Sequence, residues 1–146
     1  MPFLDLFSEV SDCYRMIRPQ YPEALLARCA QLAPARTQAW DCATGNGQAA
    51  VGLVRFFERV QATDASTTQL DHAIAHERIV YSVASAESSG LPDASVDLVT
   101  VAQALHWLDR PRFYAEAQRV MKPDGIIAVF GYTWFYLSPE LDALID

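Results

Sequence analysis

Trp-Asp-Cys-Ala-Thr-Gly-Asn-Gly-Gln, residues 40–48, is the stretch of this sequence that decides the fold. It starts as an apolar strand, passes through the acid Asp41, and turns at Gly45 and Gly47 into an amphipathic segment. A glycine turn between a strand and a helix lets a ligand approach the backbone closely. A second acid, Asp64, stands about 20 residues further on, where a carboxylate suits the two hydroxyls of a ribose. Together these features indicate a cofactor that carries a nucleoside.

The charge of Asp41 narrows the cofactor class. We expect its carboxylate at the mouth of the glycine turn, where it would repel a pyrophosphate and attract an ammonium or sulfonium group. The expected ligand is therefore an adenosyl compound with a positive charge, which points to S-adenosylmethionine. Residues 45–50 also satisfy the G-x-G-x-x-A pattern of nicotinamide-dependent dehydrogenases, an alternative that Asp41 disfavours.

Length and composition set the class of protein. A chain of 146 residues with a hydrophobic share of 51% is expected to form one globular domain with a core. Its net charge of −7 opposes a phosphate backbone, so we expect no nucleic acid partner. Its apolar runs fall short of the roughly 18 residues that span a bilayer, so we expect no membrane partner.

Cysteine usage and the N-terminal residues bear on the compartment. Residues 1–5 lack the basic start and the long apolar stretch of a secretory signal. The three cysteines, Cys13, Cys29 and Cys42, do not show the spacing of a metal site. We therefore expect a cytoplasmic protein with reduced thiols and no metal.

The chain alternates short apolar runs with amphipathic stretches, a pattern typical of βαβ units on a parallel sheet. It predicts strands over residues 38–42, 60–63, 79–83, 96–102 and 126–132. It predicts helices over residues 23–33 and 48–57, a helix capped by Ser66 with Leu70, Ala73 and Ile74 on its inner side, and a helix capped by Asp109. The turn Pro123-Asp124-Gly125 is expected to end that last helix.

Four blocks of the sequence, taken in order, resemble the motifs of class I S-adenosylmethionine-dependent methyltransferases, in the branch called methyltransferase type 11. The blocks are residues 41–48, 62–66, 86–99 and 119–125. The resemblance implies an α/β fold with a three-layer, Rossmann-like, mostly parallel sheet. It also implies a small-molecule methyl acceptor and a chain that lacks the last two strands of a complete member.

The resemblance implies a set of site residues as well. Those implied to bind the cofactor are Asp41, Ala43, Thr44, Gly45, Gly47, Asp64, Ala65, Ser85, Ala86, Glu87 and Gln103. The stretch Gln-Ala-Leu-His-Trp, residues 103–107, looks like a variant found in relatives similar to trans-aconitate methyltransferases. It implies His106 as a catalytic residue, with a purely structural role as the alternative. Those implied to bind the methyl acceptor are Tyr14, Arg18, Tyr21 and Trp107, with a role in the core or in an interface as the alternative for Trp107.

Two positions depart from the family pattern. Ala43 replaces the usual glycine, which is a mild change if the backbone torsions there stay in ordinary regions. Ser85 replaces an aspartate that meets the adenine amino group, and its hydroxyl can partly take over that hydrogen bond.

We expect one methyltransferase-like domain with three parts: an N-terminal helical segment over residues 1–37, a cofactor-binding core over 38–132 and an aromatic tail over 133–146. Without further strands, the fifth strand would be an unprotected edge. This predicts a homodimer formed through that strand or through Trp134-Phe135-Tyr136, with a monomer covered by its own tail as the alternative. A truncated domain that only binds the cofactor weakly, or that serves assembly, is the non-enzymatic alternative.

Overall fold

The computed structural model describes residues 20–132, and within them five strands form one all-parallel sheet in the order β3-β2-β1-β4-β5. The strands are β1 Gln38–Cys42, β2 Arg59–Asp64, β3 Ile79–Val83, β4 Val96–Ala102 and β5 Met121–Phe130. The α-helices are α1 Glu23–Leu32, α2 Gln48–Leu53, α3 Thr67–Asp71 and α4 Arg110–Val120, with a 3-10 turn at Leu105–Trp107. The predicted α/β class is confirmed.

Helices cover both faces of the sheet. On one face, Ala39 and Leu98 pack with buried residues of α1 and α2, among them Leu26 and Leu53. On the other face, Trp40 and Val99 pack with residues of α4, which buries Phe113, Ala117 and Val120. Since successive residues of a strand point to opposite faces, the strands β1 and β4 contribute apolar side chains to both layers of the core.

The strand order places a switch point at β1. The chain runs from β1 to its neighbour β2 on one side and pairs β1 with β4 on the other. In open parallel sheets, ligands bind in the crevice outside the carboxyl ends of the strands at such a point. The glycine turn begins there, directly after Cys42.

Two helices are shorter than predicted. The helix α2 ends at Leu53, although Phe57 is still buried in the core. The helix α3 ends at Asp71, so Ala73 and Ile74 lie in the loop that follows it and not on its inner side. The physical reason is a tertiary hydrogen bond: the Ile74 amide donates to the carbonyl of Asn46 in the glycine turn, 3.2 Å away.

The Pro123-Asp124-Gly125 segment forms an irregularity within β5 and does not end α4, which already ends at Val120. Val96 pairs with Met121 but Leu98 pairs with Ile126, so the extra residues bulge out of the ladder, and Asp124 adopts a positive φ of 63°. The strand stops at Phe130, two residues before the predicted end.

Both predicted helix caps are present. The Ser66 hydroxyl accepts a hydrogen bond from the Gln69 amide at 3.3 Å, and the Asp109 carboxylate accepts one from the Arg112 amide at 3.3 Å. None of the helices between residues 20 and 132 has the length and apolarity that crossing a lipid bilayer requires.

Candidate functional site

The glycine turn joins the carboxyl end of β1 to the start of α2. Gly45 and Gly47 have positive φ angles of 59° and 87°, which glycine adopts without strain. The Thr44 amide donates to the carbonyl of Thr63 at 2.9 Å, so the turn is fastened to the end of β2. The turn thus presents bare backbone at the crevice where a ligand is expected.

Asp64, the last residue of β2, supports this turn directly. One carboxylate oxygen accepts from the Gly45 amide at 2.8 Å, and the other accepts from the Ser66 amide at 2.8 Å. A carboxylate offers about four acceptor positions, so the remaining lone pairs are still available for two hydroxyl donors. Asp64 therefore has a structural role in the turn besides the predicted role in binding a ribose.

Asp41 lies beneath the turn and not at its mouth, which corrects the expected placement. Its side chain is 1% exposed, and its two oxygens accept from the hydroxyls of Thr44 at 2.5 Å and Thr100 at 2.7 Å. Burial raises the pKa of Asp41 to about 6, against the opposing effect of the two hydroxyls. Asp41 can therefore act on a ligand through its electrostatic field, which a low-dielectric surrounding strengthens.

Ala43 occupies a strained backbone conformation. Its φ is 54°, in the left-handed region, so the condition under which replacing glycine by alanine would be mild is not met. A non-glycine residue in that region costs about 1–2 kcal/mol. Strain of this kind is typical of functional sites that the surrounding structure holds in place.

Replacing Ala43 by glycine should stabilise the ligand-free protein by about 1 kcal/mol, because the strain relieved exceeds the flexibility that glycine adds to the unfolded chain. Urea unfolding at neutral pH measures the change. The matched control is Ala75→Gly in the exposed loop after α3, where φ is not positive, and it should lose a few tenths of a kcal/mol. Equal losses for both variants would contradict strain at Ala43.

The residues predicted to meet the adenine follow the carboxyl ends of β2 and β3, and together they are called the adenine rim. Ser85 is exposed, Ala86 is buried and Ala65 is exposed beside Asp64. The Glu87 carboxylate accepts a hydrogen bond from the Asp109 amide at 3.1 Å, so this rim is joined to the start of α4. Adenine binding by these residues stays a prediction.

Gln103 follows β4 with a positive φ of 57°. Its amide donates to the carbonyl of Phe130 at 2.9 Å, and its side-chain nitrogen donates to the carbonyl of Tyr132 at 2.9 Å. The side chain is therefore engaged with the residues that follow β5, while the strained backbone lies at the carboxyl end of the sheet. Its predicted contact with the cofactor stays a prediction.

Of the candidate catalytic and acceptor-binding residues, two lie on the 3-10 turn after β4 and one lies near the end of β5. His106 and Trp107 are exposed on the 3-10 turn after β4, with ring centroids 4.8 Å apart, and Trp107 is 67% exposed. Tyr21 packs edge-on against Phe130, with centroids 5.1 Å apart, near the end of β5. Tyr14 and Arg18 lie outside the described residues.

Among the described residues, Cys42 supplies no reactive thiol to this site, and the potential metal ligands supply no metal-binding group. Burial raises the pKa of the Cys42 thiol, which keeps it protonated and unreactive at neutral pH. From residue 20 to residue 132, the His, Cys, Asp and Glu side chains do not form a group that could hold a metal ion.

Two residues near the turn were not predicted from the sequence. Thr100 bonds Asp41 from the middle of β4, and Tyr81 of β3 reaches the glycine turn. Both are register neighbours of Asp41 across the sheet, directly for Thr100 and through Ala62 for Tyr81. The signal for Thr100 is a polar residue in the middle of a buried strand whose other residues, apart from Asp97, are apolar.

Residues 40–129 match the family described as "Methyltransferase domain", and the chain belongs to this family. A candidate methyltransferase of Dictyostelium discoideum is 33% identical over 98% of this chain and 55% of its own length. A candidate S-adenosylmethionine-dependent methyltransferase of Saccharomyces cerevisiae is 28% identical over 87% of this chain and 45% of its own. The structure of a candidate type II methyltransferase from Anaeromyxobacter dehalogenans is 48% identical, with a TM-score of 0.81, over 89% of this chain and 55% of that one.

Membership in this family implies S-adenosylmethionine as the cofactor, and it agrees with the Rossmann-like sheet. The chain spans about half the length of these relatives. The nicotinamide alternative has no support from these matches.

Proposed function

We propose that this protein binds S-adenosylmethionine at the glycine turn and transfers its methyl group to a small molecule. The observation that carries the proposal is the pair of carboxylates that are hydrogen-bonded to the turn. Asp41 lies beneath it with a buried charge, and Asp64 holds the Gly45 amide while keeping acceptor positions free. A cationic nucleoside ligand suits both groups, and the family match supports the same cofactor.

In the proposed reaction, the acceptor atom forms a bond to the methyl carbon as the carbon–sulfur bond breaks. The bonding pair stays on sulfur, so the sulfonium charge is lost. Such an in-line displacement depends chiefly on proximity and desolvation, and it needs a base only when the acceptor carries a proton. His106, exposed on the 3-10 turn, is the proposed base in that case, with a structural role as the alternative.

We propose that the parts of the cofactor and the acceptor are divided among the site residues as follows. Asp64 takes the ribose, and Ala65, Ser85, Ala86 and Glu87 form the adenine rim. The backbone from Ala43 to Gly47, together with Gln103, faces the methionine end. Tyr21 and Trp107 are proposed to contact the acceptor together with Tyr14 and Arg18, and a small-molecule acceptor agrees with the net charge of −7, which disfavours nucleic acid.

Calorimetry with S-adenosylhomocysteine and with NAD tests the cofactor part. The first should bind and the second should bind at least tenfold more weakly, a difference of about 1.4 kcal/mol. Asp64→Asn should lose roughly tenfold in affinity for S-adenosylhomocysteine, because hydrogen bonds to a charged acceptor contribute about 1.5–3 kcal/mol and the neutral amide contributes less. The matched control is Asp71→Asn, an exposed residue of α3, which should bind normally.

Binding of NAD alone would contradict the cofactor assignment, and unchanged affinity in Asp64→Asn would remove Asp64 from the site. Incubation with S-adenosylmethionine labelled in the methyl group then tests the reaction. Label recovered in a small-molecule acceptor pool supports the full proposal. Binding without any transfer favours the alternative of a domain that binds the cofactor but does not catalyse.

We also propose a cytoplasmic homodimer that uses the β5 edge. Among residues 20–132, β5 pairs with β4 alone, and Val129 and Tyr132 are 45% and 42% exposed there. An apolar strand edge favours pairing with a second chain. Light scattering that gives the mass of a single chain at micromolar concentration would contradict the dimer.

A further inference from the structure

One row of residues runs across three strands beside the glycine turn. Tyr81 of β3 pairs in register with Ala62 of β2, and Ala62 pairs with Asp41 of β1. Register partners in a parallel sheet point to the same face. Ala62 is fully buried and small, so the longer side chain of Tyr81 can extend over β2 towards the turn that follows β1.

The phenol of Tyr81 lies directly against Gly47. A Cβ atom added to Gly47 would stand 2.2 Å from the Tyr81 hydroxyl oxygen and 3.0 Å from the ring carbon that bears it. These distances are far below van der Waals contact, so Gly47 is required there by the ring as well as by its φ of 87°. The turn and the phenol therefore fit one another closely.

The hydroxyl of Tyr81 also fastens a loop to the turn. It donates to the carbonyl of Ile74 at 2.8 Å, and the Ile74 amide donates to the carbonyl of Asn46 at 3.2 Å. Burial, with a smaller effect of the Asp41 charge, raises the pKa of Tyr81 to about 12, so the hydroxyl keeps its proton at neutral pH. Ile74 is thus bonded to Tyr81 on one side and to the glycine turn on the other.

We infer that Tyr81 is a positioning residue for the cofactor site: its ring fixes the glycine turn at Gly47, and its hydroxyl holds the loop of residues 72–78 against that turn. The part that concerns the cofactor rests on the proposed function. The turn contains two glycines with positive φ, and α2 after it has only six residues, too few for a helix to be stable by itself. The contact with Tyr81 of β3 keeps this backbone ordered before the ligand binds, which reduces the conformational entropy lost on binding.

The test combines two variants, Tyr81→Phe and Tyr81→Ala, with the matched control Tyr114→Phe, which alters a tyrosine exposed on α4. Amide hydrogen exchange of the ligand-free protein reports local opening of the turn without reference to any ligand. In Tyr81→Phe, exchange at the amides of Gly47 and Ile74 should be about tenfold faster, as expected for the loss of one hydrogen bond. Exchange in β1 and β4 should not change, and the effect at the turn should be larger in Tyr81→Ala.

Calorimetry with S-adenosylhomocysteine supplies the second readout. Affinity should fall about three- to tenfold in Tyr81→Phe and at least tenfold in Tyr81→Ala, while Tyr114→Phe binds normally. Unchanged exchange at the turn, or faster exchange spread evenly over the sheet, would overturn the positioning role. A loosened turn with unchanged affinity would overturn its link to the cofactor. Failure of the unaltered chain to bind would instead overturn the proposed function, and the exchange data would still decide whether Tyr81 holds the turn.

Discussion

Replacing Asp41 with asparagine should make the ligand-free protein more stable above pH 6 while weakening the binding of S-adenosylhomocysteine. The carboxylate of Asp41 is 1% exposed and is bonded by the hydroxyls of Thr44 and Thr100. No cation among the described residues offsets the loss of its hydration. Asparagine fills the same space without a charge, and each threonine hydroxyl can either donate or accept.

The pH dependence follows from the raised pKa. Asp41 titrates near 3.8 in the unfolded chain and near 6 in the folded protein. The stability contributed by its neutral form is complete below pH 3.8 and is lost as the pH rises through about 6. A pKa difference of this size corresponds to about 3 kcal/mol. The stability of Asp41→Asn relative to the unaltered protein should therefore grow from pH 4 and level off above pH 6.

The affinity for S-adenosylhomocysteine should fall in Asp41→Asn, although the stability of the ligand-free protein should rise. Loss of the negative charge should weaken ligand binding about tenfold at pH 7.5, and the gap between variant and unaltered protein should close below pH 6, where Asp41 is protonated. Urea unfolding and calorimetry from pH 5 to pH 8 measure both effects, with Asp71→Asn as the exposed control. A variant that is less stable than the original at pH 8, or that binds equally well, would contradict a functional buried charge.

Replacing Glu116 with alanine should cause the largest loss of stability, roughly 3 kcal/mol. This buried carboxylate of α4 accepts from the Ser89 amide at 2.8 Å and the Ser89 hydroxyl at 2.6 Å. It also pairs with Arg119, whose guanidinium contacts Asp93 and the carbonyl of Leu91. Removing Glu116 leaves buried donors of the loop before β4 without their acceptor.

The hydrogen bonds from Arg119 and Ser89 lower the pKa of Glu116 to about 2. A lowered pKa means that this stabilisation is present above pH 4.5, the ordinary value, and is lost as the pH falls through about 2. Urea unfolding at pH 7 should show the full loss in Glu116→Ala and a smaller loss in Glu116→Gln, which keeps one acceptor oxygen. The exposed Glu77→Ala is the control. Stability within about 0.5 kcal/mol of the original in Glu116→Ala would show that the cluster contributes little.

Features set by nearby residues could be predicted from the sequence. The bounds of β1, β3 and β4 agree with the prediction because apolar runs bounded by turn residues define them, and Ser66 and Asp109 cap their helices as expected. Features set by contacts between residues far apart in the sequence could not be predicted from it. Asp41 is buried in the sheet, where it accepts a hydrogen bond from Thr100, 59 residues away in the sequence, and α3 stops early because Ile74 bonds Asn46.

The register between Asp41 and Thr100 also determines when the site can form. Pairing of β1 with β4 must close a loop of 59 residues, and parallel pairing of this kind is slow compared with local contacts. During synthesis, a chain that has left the ribosome only as far as β3 contains the glycine turn and Asp64 but lacks the strand that encloses Asp41. The buried charge is therefore established only when β4 has paired with β1, so we expect binding of the proposed cofactor to report on this long-range pairing and not on the glycine turn alone.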